Sequence, residues 1–138
     1  MTKALFRRIL CPIDFDRISI PALELAVSMA KQNKGRIYLL YIIPKVGAAR
    51  LSADLEQVAT DNLRGVARKW LHGKVPYQII VRTGAPLSAL LKAEEELAIN
   101  LVVMATHGRT GKKQVLLGSV TERVVRQSTC PVLTIRPK

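Results

Sequence analysis

The stretch "VVMATHGRTGKKQVLLGSVTERV", residues 102–124, decides the fold. It opens as an apolar, β-branched run. It then crosses a loop of small residues holding Arg109, Lys112 and Lys113 but no acid, and ends in a helix start at Gly118-Ser119. "SVTE" (119–122) matches a capping box in which Ser119 pairs with Glu122, which places a helix N-terminus at that point. The same pattern also fits a plain cap with no ligand.

Outward from this stretch, short apolar runs alternate with longer amphipathic ones. "RRILCPID" (7–14), "RIYLLYIIP" (36–44), "YQIIVR" (77–82), "LVVMAT" (101–106) and "PVLTIRP" (131–137) read as strands. Their near-continuous apolarity suits strands covered on both faces of a parallel sheet. Helices are expected over 19–33, with Gly35 past its end, over 52–72, with Ser52 as cap, over 86–99, with Pro86 in its first turn, and from Ser119 to about Ser128. Five strands alternating with four helices give βαβ units with right-handed crossovers. The expected fold is a single α/β domain over 1–138, an open, twisted, five-stranded parallel sheet of order 3-2-1-4-5 with helices on both faces.

In open α/β sheets, ligands bind beyond the carboxyl ends of the strands at the point where the strand order reverses. Two segments would flank that crevice here, "CPIDFD" after the first strand and "ATHGRTGKKQVLLGS" after the fourth. Gly108, Gly111 and Gly118 let backbone N–H groups approach an anion, and the helix start adds free N–H groups and a favourable dipole. The G-x-x-x-x-G-K-[ST] pattern is absent, and Asp14-Phe15-Asp16 stands where a G-x-G-x-x-G turn would. Neither a P-loop nor an NAD-type site is expected.

The pattern Ala105-x2-Gly108-x9-Gly118-Ser119, after "LVVMA" and before "VTERVVRQSTCPVLTI", resembles the universal stress protein family, whose ATP-binding branch carries G-x2-G-x9-G-[S/T]. The likeness extends over "RRILCPIDF", "IYLLYIIP" and "RTGAPLSALLKAEEELAINLVVMATHGRTG", nearly the whole chain, while 45–75 is generic. It implies a nucleotide-dependent sensor or regulator in the stress response. It also implies that Asp14 contacts the adenosine part of ATP with Pro12 and Ile13 on the same wall, that Ile42 packs near adenine, and that Met104 and Ala105 lie beside base and ribose. Gly108, Gly118, Ser119, Val120 and Thr121 match the phosphate-binding stretch, and His107 and Arg109 belong to the same loop. Ala105 departs from the motif, placing a methyl group where the family has glycine. A homodimer through the C-terminal edge strand follows from the resemblance and from the exposed pairing potential of "PVLTIRP". Mg²⁺ is compatible with bound phosphates, but the sequence specifies no ligands for it.

The remaining features set bounds. With 138 residues, 49% of them apolar, the chain can bury a core without staples. No apolar run approaches the roughly 20 residues needed to span a bilayer, and no secretory signal is expected at the N-terminus. Cys11 and Cys130 read as reduced thiols, which points to the cytoplasm. The net charge of +12 favours anionic partners, and a basic nucleic-acid-binding protein is the alternative reading, with a non-nucleotide interaction module as a third. Asp14 also fits a simple turn cap, "EEE" (94–96) reads as a polar helix face, and Trp70 as packing. His107 has no partners arranged for catalysis and no water-activating base is identifiable, so the chain is not read as an ATPase.

Overall fold

The structure is a computed structural model that describes residues 6–14, 19–44, 49–106 and 119–136; within these ranges the side chains of Ser19, of 49–52 and of Ser119 are not described. The chain runs β1 (Arg8–Pro12), α1 (Ser19–Asn33), β2 (Arg36–Ile43), α2 (Ala49–Trp70), β3 (Tyr77–Thr83), α3 (Pro86–Glu96), β4 (Leu101–Ala105), α4 (Ser119–Gln127) and β5 (Val132–Ile135). The five strands form one parallel sheet of order β3-β2-β1-β4-β5, the order expected from the sequence. Among the described residues no helix is long and apolar enough to cross a membrane.

Alternating side chains divide the core between the two faces. Ile9, Cys11, Ile13, Ile37 and Leu39 point toward α1 and α2, where Leu23, Ala26, Leu63, Ala67 and Leu71 meet them. Leu10, Tyr38, Leu40, Val102 and Met104 point the other way, against Leu90 and Ala93 of α3 and Val124 of α4. At roughly 1.5–3 kcal/mol for each large apolar side chain fully buried, these two layers dominate the stability.

The start of α2 and the end of α3 differ from expectation. α2 begins at Ala49, so Ser52 lies inside the helix rather than capping it. Packing of an amphipathic face sustains a helix beyond any one capping residue. α3 stops at Glu96 in a Schellman motif: Ile99 N–H donates to Glu94 C=O at 3.0 Å and Ala98 N–H to Glu95 C=O at 3.2 Å, with Ala98 at φ 52°. α1 ends in the same way, with Gly35 N–H on Ala30 C=O at 2.8 Å and Lys34, not the glycine, at φ 54°. Gly35 answers a different need. A Cβ there would lie 2.6 Å from Arg7 Cα and 2.8 Å from Phe6 C=O.

The "EEE" run also divides. Glu95 and Glu96 are exposed, but Glu94 is buried and fully engaged. Its carboxylate accepts from Ser128 Oγ at 2.5 Å, Thr129 N–H at 2.8 Å and Thr129 Oγ1 at 2.9 Å, which fastens the α4–β5 turn to α3.

Candidate functional site

The site begins with a gap in the sheet. β1 and β4 stay in register for only Ile9–Leu101 and Leu10–Val102, whereas β1 follows β2 through Pro12–Leu40 and β4 follows β5 through Ala105–Ile135. The last backbone bonds also run outward, Ile13 N–H to Leu40 C=O at 2.8 Å and Thr106 N–H to Ile135 C=O at 2.9 Å.

Proline explains where the parting falls. Successive residues of a parallel strand direct their N–H and C=O groups to alternate neighbours. Ile13 bonds to β2, and Asn100 N–H donates to Arg8 C=O at 2.9 Å on the other side, so even-numbered residues of β1 face β4. Pro12 stands at the next position that should donate to β4 and has no N–H to give. The β1–β4 ladder therefore ends there, and the two central strands part at their carboxyl ends, the place where open α/β sheets bind ligands.

The sequence-expected residues distribute around this opening. Pro12 is half-buried at the end of β1, Ile13 is buried in the α1–α2 core, and Asp14 follows it, exposed. On the opposite lip, Ala105 is half-buried and Thr106 buried. Ala105 is extended strand in register with Ile135; the described non-glycine residues at positive φ are Lys34 and Ala98. Its backbone therefore imposes no demand for glycine, and the departure from the motif is reduced to the space one methyl occupies. Met104, Ile42 and Val120 pack on the α3–α4 side, Met104 being buried in that core. His107, Gly108, Arg109, Gly111, Lys112, Lys113 and Gly118 lie outside the described residues.

α4 starts at Ser119 beside the same lip. Thr121 is buried, and its Oγ1 donates to Ala105 C=O at 3.2 Å, pinning the helix start to the end of β4. With that hydroxyl directed inward, what the first turn offers an anion is its backbone N–H groups, which lack intrahelical partners by helix geometry. Two features escaped the sequence reading, the pin from Thr121 and the missing donor of Pro12. The second had a signal, since a proline inside an otherwise central strand marks the end of a ladder.

Neither thiol is poised for chemistry. Burial pushes Cys11 up to about 12, and Cys130 is raised mainly by burial, with the Glu94 carboxylate adding and the Ser128 hydroxyl opposing. Among the described residues no group of three His, Cys, Asp or Glu side chains is arranged to hold a metal ion.

The model of the universal stress protein family matches residues 5–136. Universal stress protein MJ0531 of Methanocaldococcus jannaschii is 29% identical, with 96% of this chain and 83% of the relative covered. Universal stress protein YxiE of Bacillus subtilis is 26% identical over 96% of this chain and all (100%) of its own length. Among solved structures, MJ0577 of M. jannaschii superposes with a TM-score of 0.85 at 26% identity, covering 97% of this chain and 98% of that one. A universal stress protein in complex with cAMP shares the fold, with a TM-score of 0.71 at 19% identity over 97% and 99% of the two chains.

Proposed function

This chain belongs to the universal stress protein family, and on that premise we propose that it binds ATP in the crevice between β1 and β4 and couples occupancy to a partner or stress response in the cytoplasm. The observation that carries the reading is the parting of β1 from β4 at Pro12, a crevice at the switch point of a parallel sheet with a helix N-terminus on one lip. That a protein of the same fold is known in complex with cAMP supports an adenine nucleotide as the class of ligand.

In this reading Asp14 accepts hydrogen bonds from ribose hydroxyls, with Pro12, Ile13, Ile42, Met104 and Ala105 forming the walls around base and sugar. Gly108, Gly118, Ser119, Val120 and Thr121 supply backbone N–H groups to the phosphates, with His107 and Arg109 at the rim. Mg²⁺ accompanies the phosphates as a counter-ion, without a protein ligand assigned to it. Bound nucleotide favours whichever conformation or assembly binds it more tightly, which is the physical content of sensing. The assembly we assign is a homodimer through β5.

The test is mass spectrometry on protein purified gently and then denatured, followed by titration of nucleotide-free protein with ATP, ADP and cAMP. The expected outcome is released ATP and saturable binding, weakened about tenfold in Asp14→Ala by loss of a charge-assisted hydrogen bond and abolished in Gly118→Val. Repeated absence of nucleotide together with no titratable affinity would assign the chain to the branch of the family that works as an interaction module.

A further inference from the structure

A second surface lies at the opposite end of the sheet, where the strands begin. α1 and α2 run back against the strands, so their C-terminal ends meet there with the starts of β1, β2 and β3. Arg36 N–H donates to Arg7 C=O at 2.9 Å, and Gly35 packs on Arg7, so Arg7, Lys34 and Arg36 are contiguous. Ile37 N–H donates to Pro76 C=O at 3.0 Å, which sets Lys74 beside them. Lys74 and Lys31 then line a cleft of about 200 Å³ between the two helices, together with Trp70, Leu23, Val27 and Glu24. Lys69 Nζ sits 5.4 Å from the centre of the Trp70 ring.

Six cations thus share one end of the molecule, opposed in the cleft by the single carboxylate of Glu24 and by the negative poles of two helices, about half a charge each. None of the six takes part in the ion pairs formed among the described residues, Arg64–Asp61, Arg82–Glu96 and Arg126–Glu122. This cluster accounts for a large share of the +12, more positive charge than the two helix C-termini offset.

We propose that this basic end, with the cleft around Trp70 at its centre, docks single-stranded nucleic acid: the cations track phosphates and one base stacks in the cleft against the half-buried indole. The indole identifies the occupant. An acidic peptide would use the charges without needing an aromatic face. A membrane would need apolar side chains to insert, and the exposed large ones, Leu55, Val58 and Val125, are none of the residues that line this cleft. A duplex hides its base faces. The proposal stands independently of ATP in the crevice.

Trp70 is the sole tryptophan, so its fluorescence reports this cleft alone. The full chain is titrated with a single-stranded oligonucleotide of about 12 residues, within the usual range of such sites. The expected result is quenched emission with affinity falling about 20–50-fold between 50 and 200 mM salt, the loss for three or four phosphates neutralised at ~0.7 power per contact. Lys31→Glu/Lys74→Glu, both exposed positions, weakens binding at least tenfold while the circular dichroism spectrum is unchanged. Saturating ATP leaves the titration unaltered. Binding without quenching, equal or tighter binding to duplex, polyglutamate or phosphatidylserine vesicles, displacement by ATP, or indifference to the double charge reversal would each overturn the proposal.

Discussion

Ala98 and Lys34 occupy the left-handed position of two Schellman motifs, a conformation that sets Cβ against the neighbouring carbonyl and costs an L-residue roughly 1 kcal/mol. Ala98 is exposed, so Ala98→Gly is expected to stabilise the fold by about 0.5–1 kcal/mol, read as a higher midpoint in urea. Gly35→Ala has the opposite sign. Its methyl meets backbone atoms of Phe6 and Arg7 and would cost about 2–3 kcal/mol, because backbone cannot step aside as a side chain can. Cys11 adds a dependence on pH. Its thiol ionises near 9.0 when exposed and at about 12 when buried. The raised value means the folded state holds the proton that the unfolded state releases. The stabilisation is therefore complete below pH 9 and declines as pH rises toward 12. Wild type is expected to lose about 2 kcal/mol more than Cys11→Ala between pH 8 and pH 10.5, at ~1.36 kcal/mol per pH unit. Equal losses in the two proteins would show that Cys11 is not the source.

At the scale of elements, the α4–β5 turn depends on one carboxylate from α3. Glu94→Ala would remove the shared acceptor of Thr129 N–H and two hydroxyls at a turn where Ser128 is half-buried and Thr129 exposed, with an expected loss of about 2 kcal/mol, or a melting temperature lower by roughly 5–8 °C. Glu94→Gln keeps an acceptor and lets a hydroxyl reverse its role, so it should cost about a third as much. If the alanine and glutamine variants melt together, the hydrogen bonds are not what holds the turn. Glu94 also illustrates what the sequence concealed. In "EEE" three identical residues read as one polar face, and only the tertiary position of Ser128 and Thr129 separates the buried one from its neighbours. The sheet was legible because a strand covered on both faces needs an unbroken apolar run, and "RILCP", "RIYLLYII" and "LVVMA" have no other use for one. The strand order likewise places the ends of β1 and β4 side by side at the switch point, whereas the glycines expected to line it lie outside the described residues. The start of α2 was not legible, since a long amphipathic helix carries no signal that must coincide with its first residue. The parting at Pro12 lay in plain view as a residue, but its meaning depends on which neighbour position 12 faces, and that is a property of register rather than of sequence.

For the whole molecule, assembly turns on which backbone groups of β5 face away from the sheet. β5 ends the sheet, and its four residues are all half-exposed. Val102 N–H donates to Pro131 C=O and Thr106 N–H to Ile135 C=O, so odd-numbered residues of β5 serve β4. Val132, Thr134 and Arg136 consequently direct their N–H and C=O groups away from the sheet, where no other strand pairs with them among the described residues and a two-fold copy would fit. Thr134→Pro removes one outward donor while leaving every β4–β5 bond intact, and proline tolerates an extended edge position. The proposed dimer is therefore expected to dissociate in this variant with little change in circular dichroism or melting of the monomer. The preceding strand residue, Leu133, donates inward and serves as the contrast: Leu133→Pro breaks the ladder to β4 and should destabilise the fold itself. Light scattering coupled to size exclusion distinguishes the cases. A wild type that is monomeric at micromolar concentration, or a Thr134→Pro variant that dimerises as tightly as wild type, would locate any assembly away from this edge.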